Sequence, residues 1–78
     1  MTNKKTIFLE EEGKIVKKYN INSFQVQLSK RDLLITADIA NRLKSKDRRW
    51  KGITEGDQVL VEIPLGNLKE GRIIKLLS

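Results

Sequence analysis

Three observations predict an all-β barrel of five short strands with one short helix between the third and fourth. Apolar residues alternate with polar ones in several short runs, and turn-forming residues separate those runs. The single stretch that breaks the alternation, Ala40 to Thr54, lies between the third and fourth runs and holds most of the net positive charge. Side chains point to opposite faces of a strand in turn, so each alternating run marks a strand with one buried face.

Residues 11–18 (EEGKIVKK) form the first strand, and Gly13 marks a bulge or a close backbone approach. YNINS follows as a turn-like loop with Tyr19 at its near end. Ser23 to Leu28 alternates strictly, with Phe24, Val26 and Leu28 on one face and Gln25 and Gln27 on the other. SKRD turns the chain without the glycine that a tight hairpin prefers. From Asp32 to Ile39, Leu33, Ile35, Ala37 and Ile39 make the inner face of the third strand. Ile39 and Leu43 then stand four apart, which predicts a short helix that does not survive Gly52. A longer amphipathic helix over residues 38–50, capped by Asp38, is the alternative for this stretch. Glu55–Asp57 turns the chain into QVLVEI, the fourth strand, whose inner face is Val59, Val61 and Ile63 and which Pro64 closes. After a loop, GRIIKLL supplies the fifth strand.

Five strands with a helix after the third is the pattern of an OB-fold, a Greek-key barrel that often binds oligonucleotides. The chain has 78 residues, enough for one small domain that buries about 60% of its unfolded surface. Residues 6–78 are assigned to that domain and residues 1–5 to a flexible N-terminal arm.

Composition narrows the chemistry. Cysteine and histidine are both absent, so disulfides, thiolate metal sites, triads and typical zinc sites lack their usual residues. No catalysis, cofactor or metal is expected. Glu10, Glu11 and Glu12 are consecutive on a strand and cannot all converge on a magnesium ion. The apolar run Ile7–Leu9 is too short for a signal peptide, and no segment approaches the roughly 20 apolar residues of a membrane span. A monomer in the cytosol, or in an organelle stroma or matrix, is the expectation.

The net charge is +6, and residues 42–51 hold +5 of it in six cations and one anion, leaving +1 for the other 68 residues. Charge concentrated in this way fits a polyanion partner, whereas a solvated basic loop is the plainer alternative. Arg48 and Arg49 are assigned to phosphates, which a planar guanidinium grips with two hydrogen bonds. Arg42, Lys44, Lys46 and Lys51 supply diffuse attraction. About five neutralised phosphates would give a slope of log K against log salt near −3.5.

Trp50 sits among these cations and has two readings. It is a stacking platform for a base, or a lid that closes one end of the barrel. The flanking charges favour partial burial with an edge or face left open. Phe24 is assigned to the core, Gly56 and Gly71 to backbone geometry, and Tyr19 to stacking or to the barrel rim. Gln25, Gln27 and Thr36 are on the polar face of central strands, where they either contact nucleic acid or simply meet solvent.

EGKIVKKYNINSFQVQL, TADI, the basic stretch before an aromatic, GDQVLVEI and LKEGRII occur in order and span residues 12–75. Together they resemble bacterial and plastid translation initiation factor 1. The resemblance implies an RNA-binding OB-fold that occupies the aminoacyl site of the small ribosomal subunit, touches ribosomal RNA through its basic loop and acts alongside initiation factors 2 and 3. It also matches Arg72 to a family arginine that extends the basic surface. The chain departs from the family at SKRD, at ANR, in a basic loop about three residues longer, at Trp50 in place of tyrosine, and in its KLLS end. The tryptophan is similar to that of initiation factor 1A. The alternatives are a cold-shock-like RNA chaperone, a ribosome-assembly factor and, from another class, a metal-dependent nuclease.

Overall fold

A computed structural model describes residues 7–77. The elements are β1 (Phe8–Asn20), β2 (Ser23–Leu28), β3 (Leu34–Ile39), α1 (Asn41–Lys46), a 3₁₀ helix (Arg48–Gly52), β4 (Gln58–Pro64) and β5 (Glu70–Leu76). The strands close into a barrel in the order β1-β2-β3-β5-β4, with β4 returning to β1. Every pairing is antiparallel except that of β3 with β5. This five-stranded barrel with its helix between β3 and β4 is an OB-fold.

The barrel closes because β1 serves two neighbours. Phe8 to Lys14 pair with β4, while Gly13 to Asn20 pair with β2. Gly13 belongs to both ladders, opposite Leu28 on one side and Val59 on the other. A Cβ there would stand 2.5 Å from Val26 Cγ1 and 2.9 Å from the carbonyl oxygen of Gln27, so only glycine lets the strands approach this closely.

Inward residues of every strand fill the core, among them Ile15, Phe24, Ile35, Val61 and Ile73. Each large aliphatic or aromatic side chain taken from water contributes about 1.5–3 kcal/mol. Leu43 and Ile53, from the connection between β3 and β4, join the same buried cluster.

The structure corrects several sequence-based boundaries. β1 runs to Asn20, so Tyr19 is in a strand rather than a loop. Val16 and Tyr19 are each an extra residue opposite β2, and two bulges interrupt the alternation that would have revealed the strand. β3 begins at Leu34 rather than Asp32, because the turn closes with the Leu28 N–H donating to the Leu33 carbonyl at 3.0 Å. β5 is Glu70–Leu76, one residue earlier than the sequence indicates. The longer helix over 38–50 does not form. Asp38 is a β3 residue, opposite Ser23 and Arg72, and Asp47 is extended and ends the helix.

Glu11 faces the same side as Val61, whereas Glu10 and Glu12 are exposed on the other side. Its side chain is 10% exposed and meets Arg31 of the β2–β3 turn at 3.0 Å. Among the described residues no group of three His, Cys, Asp or Glu is placed to hold a metal ion. No helix among them is long and apolar enough to cross a membrane. The N-terminal arm, residues 1–5, lies outside the described residues.

Candidate nucleic-acid interface

The basic stretch is pinned to the barrel at both ends. At its start the Ala40 N–H donates to the Ile73 carbonyl at 3.0 Å, and Ala40 is extended and buried. Ile39 and Leu43 are both buried, and that fixes the phase of α1 so that Arg42, Ser45 and Lys46 face outward. At its end the Asp57 carboxylate accepts from the Thr54 N–H at 3.0 Å, and Gly56 turns with φ +95°. That conformation favours glycine. The Gly56 N–H donates to Ile15, and the Ile15 N–H donates to Asp57, sewing the turn onto β1.

Asp47 shapes the middle. Its Oδ1 accepts from the Arg49 backbone N–H and from Arg49 Nε, both at 3.0 Å, and its Oδ2 accepts from Arg49 Nη2 at 2.8 Å. It thereby caps the 3₁₀ helix and holds the arginine side-on. The bond from the Arg49 side chain, then the one from its backbone N–H, holds the Asp47 carboxyl below its ordinary range; the same side-chain bond raises Arg49.

The 3₁₀ helix carries Trp50, which is half-buried and packs against the core. Lys44 Nζ lies 5.0 Å from the ring centroid and Lys51 Nζ 5.9 Å. A base stacking on the exposed ring surface would displace an ammonium. An exposed cation–π contact is worth about 0.5–1 kcal/mol and base–aromatic stacking about 1–3 kcal/mol, so the exchange is favourable.

The six cations are not equivalent. Arg42 Nη2 bonds Glu62 Oε2 of β4 at 2.9 Å, and Arg49 is held by Asp47. Lys44 and Lys51 flank the ring. Lys46 and Arg48 are exposed and make no ion pair among the described residues. The other two candidates stand elsewhere. Arg72 is exposed on β5 between Asp38 and Glu62, in a shallow groove with Phe8, Pro64 and Glu70. Tyr19 is a half-exposed bulge residue on β1, with Lys17 Nζ 5.4 Å from its ring centroid. Gln25 and Thr36 are opposite each other on the outer face, and Gln27 Nε2 donates to Asp32 at 3.3 Å.

Sequence reasoning counted Asp47 in the local charge but missed its pairing with Arg49, and it missed the pairing of Glu62 with Arg42. Asp47 two residues before Arg49 is a local capping signal that could have been read. Glu62 is twenty residues from Arg42 and has no local signal.

No family model matches the chain, and neither does any curated protein sequence. Solved structures do match. Translation initiation factor 1 from the Wolbachia endosymbiont strain TRS of Brugia malayi is 32% identical, with a TM-score of 0.66, over 91% of this chain and 79% of that one. The chain belongs to the translation initiation factor 1 family. Eukaryotic translation initiation factor 5A from Methanococcus jannaschii superposes with a TM-score of 0.63 at 11% identity. That likeness concerns the fold alone, and this chain spans 45% of that protein's length. In this member of the initiation factor 1 family, Leu43 and Ile53 of the loop are buried with the barrel core, and the loop's charged residues are exposed or half-buried.

Proposed function

We propose that this protein is a non-catalytic RNA-binding factor of translation initiation that docks on the small ribosomal subunit near the aminoacyl site. The observation that carries the reading is the connection between β3 and β4. It sets a half-buried tryptophan with an accessible surface among lysines and arginines, and the barrel holds both of its ends. Phosphates meet Lys46 and Arg48 first, and a base meets Trp50. Electrostatic attraction brings the chain to ribosomal RNA, and stacking fixes its position.

Co-sedimentation with small ribosomal subunits tests this. Wild type co-sediments and is displaced by a standard bacterial initiation factor 1, and Lys46→Ala/Arg48→Ala co-sediments weakly. Failure to compete with that factor would overturn the shared site. Equal binding to free single-stranded RNA and to subunits would favour a chaperone instead.

A further inference from the structure

The Asp47–Arg49 pair leads beyond a simple count of cations. A carboxylate that takes Nε and Nη2 of an arginine occupies the edge with which arginine grips a phosphate. Arg49 therefore presents no free side-on fork in this structure. The pair is solvent-accessible, with the Arg49 side chain 69% exposed and that of Asp47 22% exposed, so an incoming anion can reach it without disturbing the core. Arg42 differs. Its carboxylate partner is on a strand of the barrel and is 16% exposed, so its partner is part of the wall.

Resting on the RNA-binding reading above, we propose that Asp47 is an internal stand-in for a phosphate. It masks Arg49 until an RNA phosphate displaces the carboxylate from the Nε and Nη2 edge of the guanidinium. Asp47 then has two separable tasks. Its bond to the Arg49 backbone N–H caps the helix that positions Trp50, and its grip on the guanidinium withholds one cation. Any polyanion meets Lys44, Lys46, Arg48 and Lys51. Only RNA whose backbone comes up to the Arg49 guanidinium also recruits that cation, which makes this pair a specificity-determining element of the loop.

Asparagine separates the two tasks, because it caps as well as aspartate but carries no charge. The probe is a single-stranded oligouridylate titrated over a range of salt. Each phosphate contact on single-stranded RNA adds about 0.7 to the magnitude of the salt slope, equivalent to about fivefold in affinity at 0.1 M salt. Asp47→Asn therefore binds about fivefold more tightly, with a slope steeper by about 0.7, and Trp50 emission is unchanged. Asp47→Asn/Arg49→Ala returns to the wild-type slope, since the fifth cation is gone again.

Asp47→Ser, which also caps, repeats the first result if the asparagine variant folds poorly. A gain absent from both single variants, or a double variant whose slope falls below that of wild type by about 0.7, would overturn the masking. A wild-type slope near zero would instead overturn the RNA-binding reading, and the masking with it.

Discussion

Replacing Gly13 with alanine tests how the barrel closes. The new Cβ would lie 2.5 Å from Val26 Cγ1, where carbon atoms normally rest at about 3.5–4.0 Å. Val26 is fully buried, and its β-branched side chain has few rotamers to retreat into. The second clash, 2.9 Å to the carbonyl oxygen of Gln27, is with backbone in the β2 strand, so relief requires moving the strand itself. Overpacking of this kind costs about 1–3 kcal/mol. Alanine returns about 0.4–1 kcal/mol by restricting the unfolded chain, and taken from a cost near the middle of that range, about 2 kcal/mol, this leaves a net loss of roughly 1–2 kcal/mol. For a domain of this size each kcal/mol lowers Tm by about 4–8 °C, so Gly13→Ala should melt roughly 4–16 °C below wild type. Gly66→Ala is the control, because nothing lies within 4 Å of a Cβ there and its φ is not positive. It should match wild type or exceed it slightly. Thermal and urea denaturation of both variants provide the measurement. Equal Tm values for Gly13→Ala and Gly66→Ala would refute the close-approach account of β1.

Trp50→Leu keeps an apolar side chain against the core and removes the stacking surface; RNA affinity should fall by about 1–3 kcal/mol while Tm changes little, as read by titration and melting. With Arg42 and Arg49 engaged by carboxylates, four cations remain for phosphates, and the wild-type salt slope on single-stranded RNA should be near −2.8 rather than −3.5. The Asp47 carboxyl lies below its ordinary range, so its cap contributes above the unfolded value of about 3.9 and is lost as pH falls through the lower folded value. Trp50 emission should accordingly be flat from about pH 5 to 8 and shift only in acid below about pH 4, a transition absent from Asp47→Asn.

The inner faces of the barrel could be read directly from the chain. Phe24, Val26 and Leu28, then Ile35, Ala37 and Ile39, then Val59, Val61 and Ile63 are all buried as their alternation indicates. Period two is a local signal, and it survives wherever a strand stays in register with its neighbours. It fails beyond Ile15, where the extra residues Val16 and Tyr19 change which side of β1 faces in. It fails again at Ile74, which is extra opposite β4. Bulges depend on what the neighbouring strand does, and one strand's residues do not report that.

The candidate site divides in the same way. Charge density and the lone tryptophan could be seen by counting. The net field could not, because it depends on which carboxylates the fold brings back. Glu62 reaches Arg42 only when β4 is in place, and Arg31 finds Glu11 only when the β2–β3 turn closes over β1.

On the proposed RNA-binding reading, stability and recognition are carried by different atoms of one segment. Between Asn41 and Gly56 the core receives Leu43 and Ile53 fully and Trp50 in part. The remaining residues are exposed or half-buried, and surface substitutions of that kind typically change stability by no more than about 0.5 kcal/mol. The loop can accordingly lengthen, gain cations or acquire a masking carboxylate without loosening the barrel. Trp50 is the exception, since one part of the ring packs on the core and the rest is open between two lysines. It couples the position of the 3₁₀ helix to the barrel, so a change in the loop backbone moves the stacking surface together with Arg48 and Arg49. If the loop binds RNA as proposed, the tryptophan sets the geometry of that contact, and the surrounding charges set how selectively it is used.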